Sequence, residues 1–327
     1  MEAVETTATE SNDAPAPPSP VAQALTPWLG IALAVIGLLW SSGIAVDLGI
    51  EIIAEQVMCA VLGLAFTIVY LNVPAHPKYQ GKLPWFDALA AALGFVIGAY
   101  LIYRYPELLE NVAYMPIEAS IVGFILVTLT TEALRRTAGW GLCVVLFGFF
   151  AYAFLGDLVP GSLKGRAMAP ETFFSFLGID TTGLLGIPLT IITTVVIIFI
   201  FLGQVLLRSG GSEFFTDAAA AIMGRSRGGS AKIAVVASGL FGSISGSAVS
   251  NVASTGVITI PLMRQGGYTR PVAAAIEAVA STGGQIMPPI MGAAAFLMAE
   301  LLEIRYQEVI VAAILPALLY YIAVFLQ

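Results

Sequence analysis

The sequence predicts an all-α polytopic membrane protein with about seven to nine membrane segments. Three observations support that class. Hydrophobic residues make up 58% of the 327 residues and charged residues only 11%, against roughly 45–50% and 25% in an ordinary soluble domain. Uncharged apolar runs recur along the chain at about the 20-residue length that crosses a bilayer core of about 30 Å at 1.5 Å per residue. Two long runs in the C-terminal half are interrupted by Gly, Ser and Pro in a manner that a plain spanning helix does not need.

Taken in order, residues 1–24 carry Glu2, Glu5, Glu10 and Asp13, no base, and a cluster of Pro15, Pro17, Pro18 and Pro20. They are expected to form a disordered cytoplasmic tail. A signal peptide would open with basic residues and a short apolar core, so the first span is expected to be retained. Spans are expected at 28–46, 57–73, 86–103, 117–131, 139–156, 183–207 and 308–326. Cys59 and Cys143 lie inside such runs, where a thiol acts as a small hydrophobe. The net charge of −7 sits largely in the tail and segment ends; no nucleic-acid partner is expected.

Basic residues set the expected orientation. With a cytoplasmic N-terminus, inner segments hold Lys78, Lys82, Arg135, Arg136, Arg208, Arg225, Arg227 and Lys232, and outer loops hold Arg104, Lys164 and Arg166, a ratio of eight to three. The positive-inside rule favours that arrangement. Segment 212–223, SEFFTDAAAAIM, is amphipathic. It suits either a linking helix at the cytoplasmic surface or a helix packed on neighbouring spans.

The first interrupted run, 232–264, is divided by GSISGS at 242–247. Each arm falls short of the roughly 17 residues that a crossing requires. Two structures satisfy the pattern: one long helix with a glycine-weakened centre, or a re-entrant helical hairpin entering and leaving at the cytoplasmic face. Non-helical backbone at membrane depth is tolerated only where protein or a watery cavity covers it, so a hairpin would mark a site. The second run, 271–302, carries STGGQIMPP at its centre. Gly283 and Gly284 weaken a helix, and Pro288 and Pro289 remove amide donors and clash with the preceding turn, which predicts a discontinuous helix over about 271–302.

Oxygen-bearing side chains gather near both breaks: Ser243, Ser245, Ser247, Asn251, Ser254, Thr255, Ser281, Thr282 and Gln285. With freed carbonyls they suit a hard cation, although small hydroxylated residues also let membrane helices pack closely. Glu277, two turns before the Gly-Gly pair, is a candidate proton carrier or cation partner, or an interfacial residue near Arg270. Enzymatic chemistry finds little support. His76 is the single histidine, so no HExxH pair exists; none of Ser243, Ser245 and Ser247 has the flanking glycines of a G-x-S-x-G elbow, and no GxxxxGK[ST] loop is present.

The blocks GLLGIPL, GRSRGGSAKIAVVASGLFGSISGSAVSNVASTG, IPLMRQGGYTRP and AAIEAVASTGGQIMPPIMGAAAFLMAE, within 183–300, and EALRRTAGW at 132–140 carry a resemblance. The chain resembles the DctM-like large membrane subunit of tripartite ATP-independent periplasmic (TRAP) transporters, in the fused form paired with TAXI-type binding proteins. The resemblance implies an elevator-type, Na+-coupled carrier built from inverted repeats, each a re-entrant hairpin followed by a broken helix. It implies that Ser243, Ser245, Gly246, Ser247, Ser281, Thr282 and Gly283 lie at or near a Na+ site, with Asn251 close to it. Asn251, Ser247 and Gln285 are then expected to face the substrate, a small organic anion delivered by a periplasmic binding protein.

The same resemblance assigns 25–136 to small-subunit-like scaffold spans and 137–327 to a large-subunit-like transport region in a bacterial inner membrane, with no cofactor beyond the coupling ion. No second GSISGS-like hairpin follows. The expectation is therefore that a longer chain or a separate membrane chain supplies a second repeat, and that this stretch alone does not transport. A non-transporting assembly or scaffold subunit is the alternative, and a passive channel a further one.

Overall fold

The structure, a computed structural model, describes residues 18–327 apart from 112, 113, 115, 116 and 225. Among the described residues it contains helices and no strand. In chain order these are α1 (Pro20–Ser41), α2 (Ile44–Asp47), α3 (Ala54–Asn72), α4 (Trp85–Glu110), α5 (Ile117–Ala138), α6 (Trp140–Leu155), α7 (Pro170–Ile179) and α8 (Ile187–Ile191). There follow α9 (Ile197–Arg208), α10 (Gly211–Met223), α11 (Gly229–Ser245), α12 (Ala248–Gln265), α13 (Arg270–Gly283), α14 (Ala293–Leu301) and α15 (Tyr306–Leu326). Among the described residues, seven helices are long and apolar enough to cross a membrane: α1, α3, α4, α5, α6 with its extension to Leu158, the continuous helix Ile187–Arg208, and α15. Each matches an expected span, and the protein is an all-α polytopic membrane protein.

The boundaries differ for local reasons. Residues 20–24 of the expected tail are helical: Pro20 opens α1, where proline's fixed φ is already suitable, and Ser19 Oγ accepts the Ala22 amide at 3.3 Å. Residues 1–17 of that tail lie outside the described residues. The same helix stops at Ser41 because Gly43 turns left-handed, φ 74. Helix α4 runs on past 103 to Glu110, since Arg104 is paired with Glu107 and with Glu118 at 3.2 Å. Helix α7 was not expected; ten residues are too few to cross.

Two compact units divide the chain. Among the described residues, one comprises 18–33 and 59–179, the other 34–58 and 180–327. In the first, backbones meet through glycines, the common device of membrane helices. A Cβ at Gly63 would lie 2.8 Å from the Gly98 Cα, and one at Gly94 would lie 2.6 Å from the Phe66 Cβ. Helix α7 docks on α5 so closely that a Cβ at Gly123 would sit 1.9 Å from the Phe174 carbonyl oxygen. Phe124 packs edge-on to Phe174 across that contact, ring centres 5.1 Å apart.

One end of α3, α4 and α5 is closed by buried charge. Arg136 donates to Glu132 Oε1 at 2.7 Å and the Val73 carbonyl at 3.0 Å, and its guanidinium lies 4.7 Å from the centre of the Tyr70 ring. Its Nη2 is also 2.7 Å from Asp87 Oδ1, outside hydrogen-bond angles, so that contact is an ion pair more than a directed bond.

In the second unit, α8 and α9 are joined by a π turn, Ile192–Val196. Ser41 donates to the Thr194 carbonyl there at 2.6 Å, and Gly37 makes room for Ile197. Helix α10 packs Ala219 against Ile233 and Ala237 of α11, as the packed alternative for 212–223 requires, while Phe214 and Ile222 on the same helix stay exposed. Its run of alanines permits that close approach.

Candidate functional site

The run 232–264 forms a helical hairpin and not one long helix. Helix α11 ends at Ser245, Gly246 adopts φ 60, and Ser247 caps α12 by accepting the Ser250 amide at 3.3 Å. The reversal is therefore confined to Gly246 and Ser247, narrower than 242–247. Gly242 stays helical and serves close approach instead: a Cβ there would lie 2.5 Å from the Gly284 Cα and 2.8 Å from Asn251 Nδ2.

The run 271–302 breaks as its glycines and prolines require. Helix α13 ends at Gly283, α14 begins at Ala293, and the amide of Gly292 returns to the Gln285 carbonyl at 2.7 Å. Met291 sits at φ 59, a left-handed conformation that costs a non-glycine residue about 1–2 kcal/mol. Its buried side chain, packed with Ala295, Ala299 and Val309, holds it there.

Hairpin tip and helix break interlock. The Ile290 amide donates to the Ser243 carbonyl at 3.1 Å. A Cβ at Gly246 would lie 2.1 Å from the Met291 carbonyl oxygen, and one at Gly292 3.3 Å from the Gly246 carbonyl oxygen. Backbone oxygens of Gly246, Gln285 and Met291 thus converge within a small space. Ser245 Oγ, next in the chain to Gly246, is buried and has no hydrogen-bond partner among the described residues.

The remaining expected residues are distributed around this point. Ser243 Oγ turns back to the Leu240 carbonyl at 2.7 Å, and Thr282 Oγ1 to that of Ala278 at 2.7 Å. Gly283 is buried against the rings of Tyr320 and Tyr321, whose hydroxyls donate to the carbonyls of Val279 at 2.7 Å and Ala280 at 2.9 Å. Asn251 is fully buried and donates to the Ser238 carbonyl at 2.8 Å, tying the hairpin arms together. Gln285 has an exposed side chain. Ser247 borders a cleft of about 690 Å³, where Ser254, already singled out in the sequence, is joined by Gln204 and Ser250, which were not, and by Glu213.

Deeper in the hairpin, Glu277 is fully buried and, among the described residues, hydrogen-bonded by hydroxyls alone. Ser238, Thr255 and Ser281 donate to Oε1 at 2.9, 2.5 and 3.1 Å, and Thr259 donates to Oε2 at 2.5 Å. One carboxyl group thereby joins α11, α12 and α13. The carboxyl group is thus held inside the helix bundle and out of contact with water. The four-residue spacings Thr255 to Thr259 and Glu277 to Ser281 signal a shared helix face, but which faces meet is not visible in one strand of sequence.

Residues 124–327 match the family described as the tripartite ATP-independent periplasmic transporter, DctM component. The C4-dicarboxylate TRAP transporter large permease protein DctM of Pseudomonas aeruginosa is 34% identical over 121 residues, 37% of this chain and 28% of that protein. The 2,3-diketo-L-gulonate TRAP transporter large permease protein YiaN of Escherichia coli is 32% identical, over 34% of this chain and 24% of that protein. The isethionate TRAP transporter permease protein DctMQ of Oleidesulfovibrio alaskensis is 29% identical, over 44% and 23%. The chain thus spans about a quarter of the length of the curated relatives it matches. No solved structure matches it.

Proposed function

Because this chain belongs to the family of the DctM component of tripartite ATP-independent periplasmic transporters, we propose that it supplies one inverted repeat of an elevator-type, Na+-coupled carrier of small organic anions. Family membership makes it a membrane transporter component and not an enzyme. One observation carries the finer reading: the interlock of Gly246 with Met291 beside the unpartnered Ser245 hydroxyl.

The ion would bind there through the Ser245 hydroxyl and main-chain oxygens around Ser243, Gly246, Ser247, Ser281, Thr282 and Gly283. Main-chain oxygens are the apt donors because the hydroxyls of Ser243, Ser281 and Thr282 are engaged elsewhere. Ion binding orders tip and break together. The anion then occupies the cleft bordered by Ser247, Gln204 and Ser250, which Gln285 does not line, with Asn251 holding the arms in register. Helix amide ends attract it in the absence of an arginine at either break. The names of the relatives, with C4-dicarboxylate, 2,3-diketo-L-gulonate and isethionate, support an organic anion.

In this reading the protein lies in a bacterial inner membrane with a cytoplasmic N-terminus, and a periplasmic binding protein delivers substrate to the opposite face. Residues 25–136 brace a moving bundle drawn from 137–327; the family match begins near that boundary, at residue 124. The Na+ gradient and a membrane potential worth about 2.3 kcal/mol per charge at 100 mV drive the cycle.

Uptake of a labelled dicarboxylate into proteoliposomes tests it, with binding protein and an inward Na+ gradient. The chain alone is compared with a form carrying a second hairpin and broken helix. Na+-dependent uptake by the second form only is expected. Uptake indifferent to Na+ removes the ion assignment, whereas a stable complex that moves nothing favours an assembly subunit.

A further inference from the structure

Two cavities meet where α11 begins, and the transport reading uses neither. One is polar, about 470 Å³, lined by Gly224, Gly228, Gly229, Ser230, Gly266 and Gly267. The other, about 650 Å³, has an apolar wall of Val272, Ile276, Val279 and Phe325 with Arg227 and Lys232 among its lining. Gly228 and Tyr268 line both, so the two are chambers of one groove.

Glycine opens the polar chamber. Gly228 is left-handed at φ 67, and a Cβ there would crowd the Tyr268 hydroxyl at 3.2 Å. A Cβ at Gly266 would lie 2.3 Å from Ser230 Oγ. Charge then selects the occupant. No acid lines either chamber, and among the described residues neither Arg227 nor Lys232 forms a salt bridge. Lys232 instead rests its ammonium 4.9 Å from the centre of the Phe325 ring. The wall faces outward: Val272 and Val279 are 46% and 43% exposed on helices of a membrane protein, where acyl chains are the surrounding medium.

We propose that this groove binds an anionic phospholipid. Its phosphate headgroup sits where the two chambers join at Gly228 and Tyr268, with Arg227 and Lys232 of the second chamber as its cationic partners, and an acyl chain lies along the wall made by α13 and α15. Basic pockets between membrane helices attract anionic headgroups, and a lysine can lay its stem on apolar surface while its ammonium meets the phosphate. A free phosphate or a soluble organic anion would leave the wall unused.

Native mass spectrometry of the purified protein, titrated with phosphatidylglycerol or phosphatidylcholine of identical chains, tests this. Preferential retention of phosphatidylglycerol is expected. Arg227→Ala and Lys232→Ala should each weaken it roughly fivefold, and Lys232→Arg should retain it. Equal retention of both lipids, or unchanged phosphatidylglycerol binding in the double alanine variant, overturns the proposal. So does displacement of the lipid by glycerol phosphate at matched concentration, because the apolar wall would then contribute nothing.

Discussion

Replacing Glu277 separates a hydroxyl-bound structural pin from an incidental buried acid. In Glu277→Ala, Thr255 and Thr259 can fall back on the carbonyls of Asn251 and Thr255, each already 2.9 Å away. Ser281 loses its acceptor, and Ser238 keeps only the Thr255 hydroxyl at 3.2 Å. A stranded buried hydroxyl costs about 1–3 kcal/mol, and each methylene removed adds about 0.8 kcal/mol. Relief of the carboxyl group's own desolvation offsets part, leaving a net loss of about 2–4 kcal/mol. Glu277→Gln retains an acceptor toward Ser238 and Ser281 and offers an amide donor to Thr259, which can still donate to the Thr255 carbonyl; its loss should stay near 1 kcal/mol. Thermal unfolding of the purified protein reads the contrast at roughly 2–4 °C per kcal/mol. The alanine variant should therefore melt about 5–12 °C early and the glutamine variant within about 4 °C of the parent. A glutamine variant as damaged as alanine, or an alanine variant as stable as the parent, refutes the hydroxyl pin.

Three further outcomes follow from close contacts. Gly246→Ala places a Cβ 2.1 Å from the Met291 carbonyl oxygen at φ 60, so Na+-driven uptake by the complete carrier should vanish while helix content by circular dichroism persists; parental uptake would show that tip and break are not interlocked. Arg136→Leu and Asp87→Asn each break a pair only 3% and 2% exposed and should cost about 3–5 kcal/mol, whereas the double variant costs less than their sum. Strict additivity in a thermal double-mutant cycle would mean the two charges do not couple. Gly123→Val forces α7 off α5, since even a Cβ would meet the Phe174 carbonyl oxygen at 1.9 Å. Limited proteolysis around residues 160–180 should accelerate, and unchanged cleavage would contradict that docking.

Much of the fold is legible in the sequence because a bilayer imposes length and apolarity on every crossing helix, as the seven runs do here. The two breaks are legible because Gly-Gly and Pro-Pro have backbone consequences that neighbours cannot cancel. Contacts that depend on partners distant in sequence are less so. GSISGS suggests a wide turn, yet Gly242 is consumed by packing on Gly284, which leaves only Gly246 and Ser247 to reverse the chain. Helix α7 escapes notice because its ten residues are anchored by Gly123, far away in α5. Glu277 looks equally suited to water or interior until Ser238, Thr255 and Thr259 arrive from two other helices.

The meeting of tip and break has one more consequence. It is made of glycine against main chain, Gly242 on Gly284 and Gly246 on Met291, with scarcely a side chain between them. Side-chain contacts can be trimmed by a methyl at a time, so sites built from them respond to mutation gradually. A contact between two backbones has no such increments: it is intact or it is wedged open. Exchanging the nearby hydroxyls should therefore tune this region by small steps, while any change at its glycines acts as a switch. A lineage that shifts its ion or solute preference has room to do so along the walls of the cleft, at positions such as Gln204 and Ser254, and almost none at the hinge point itself.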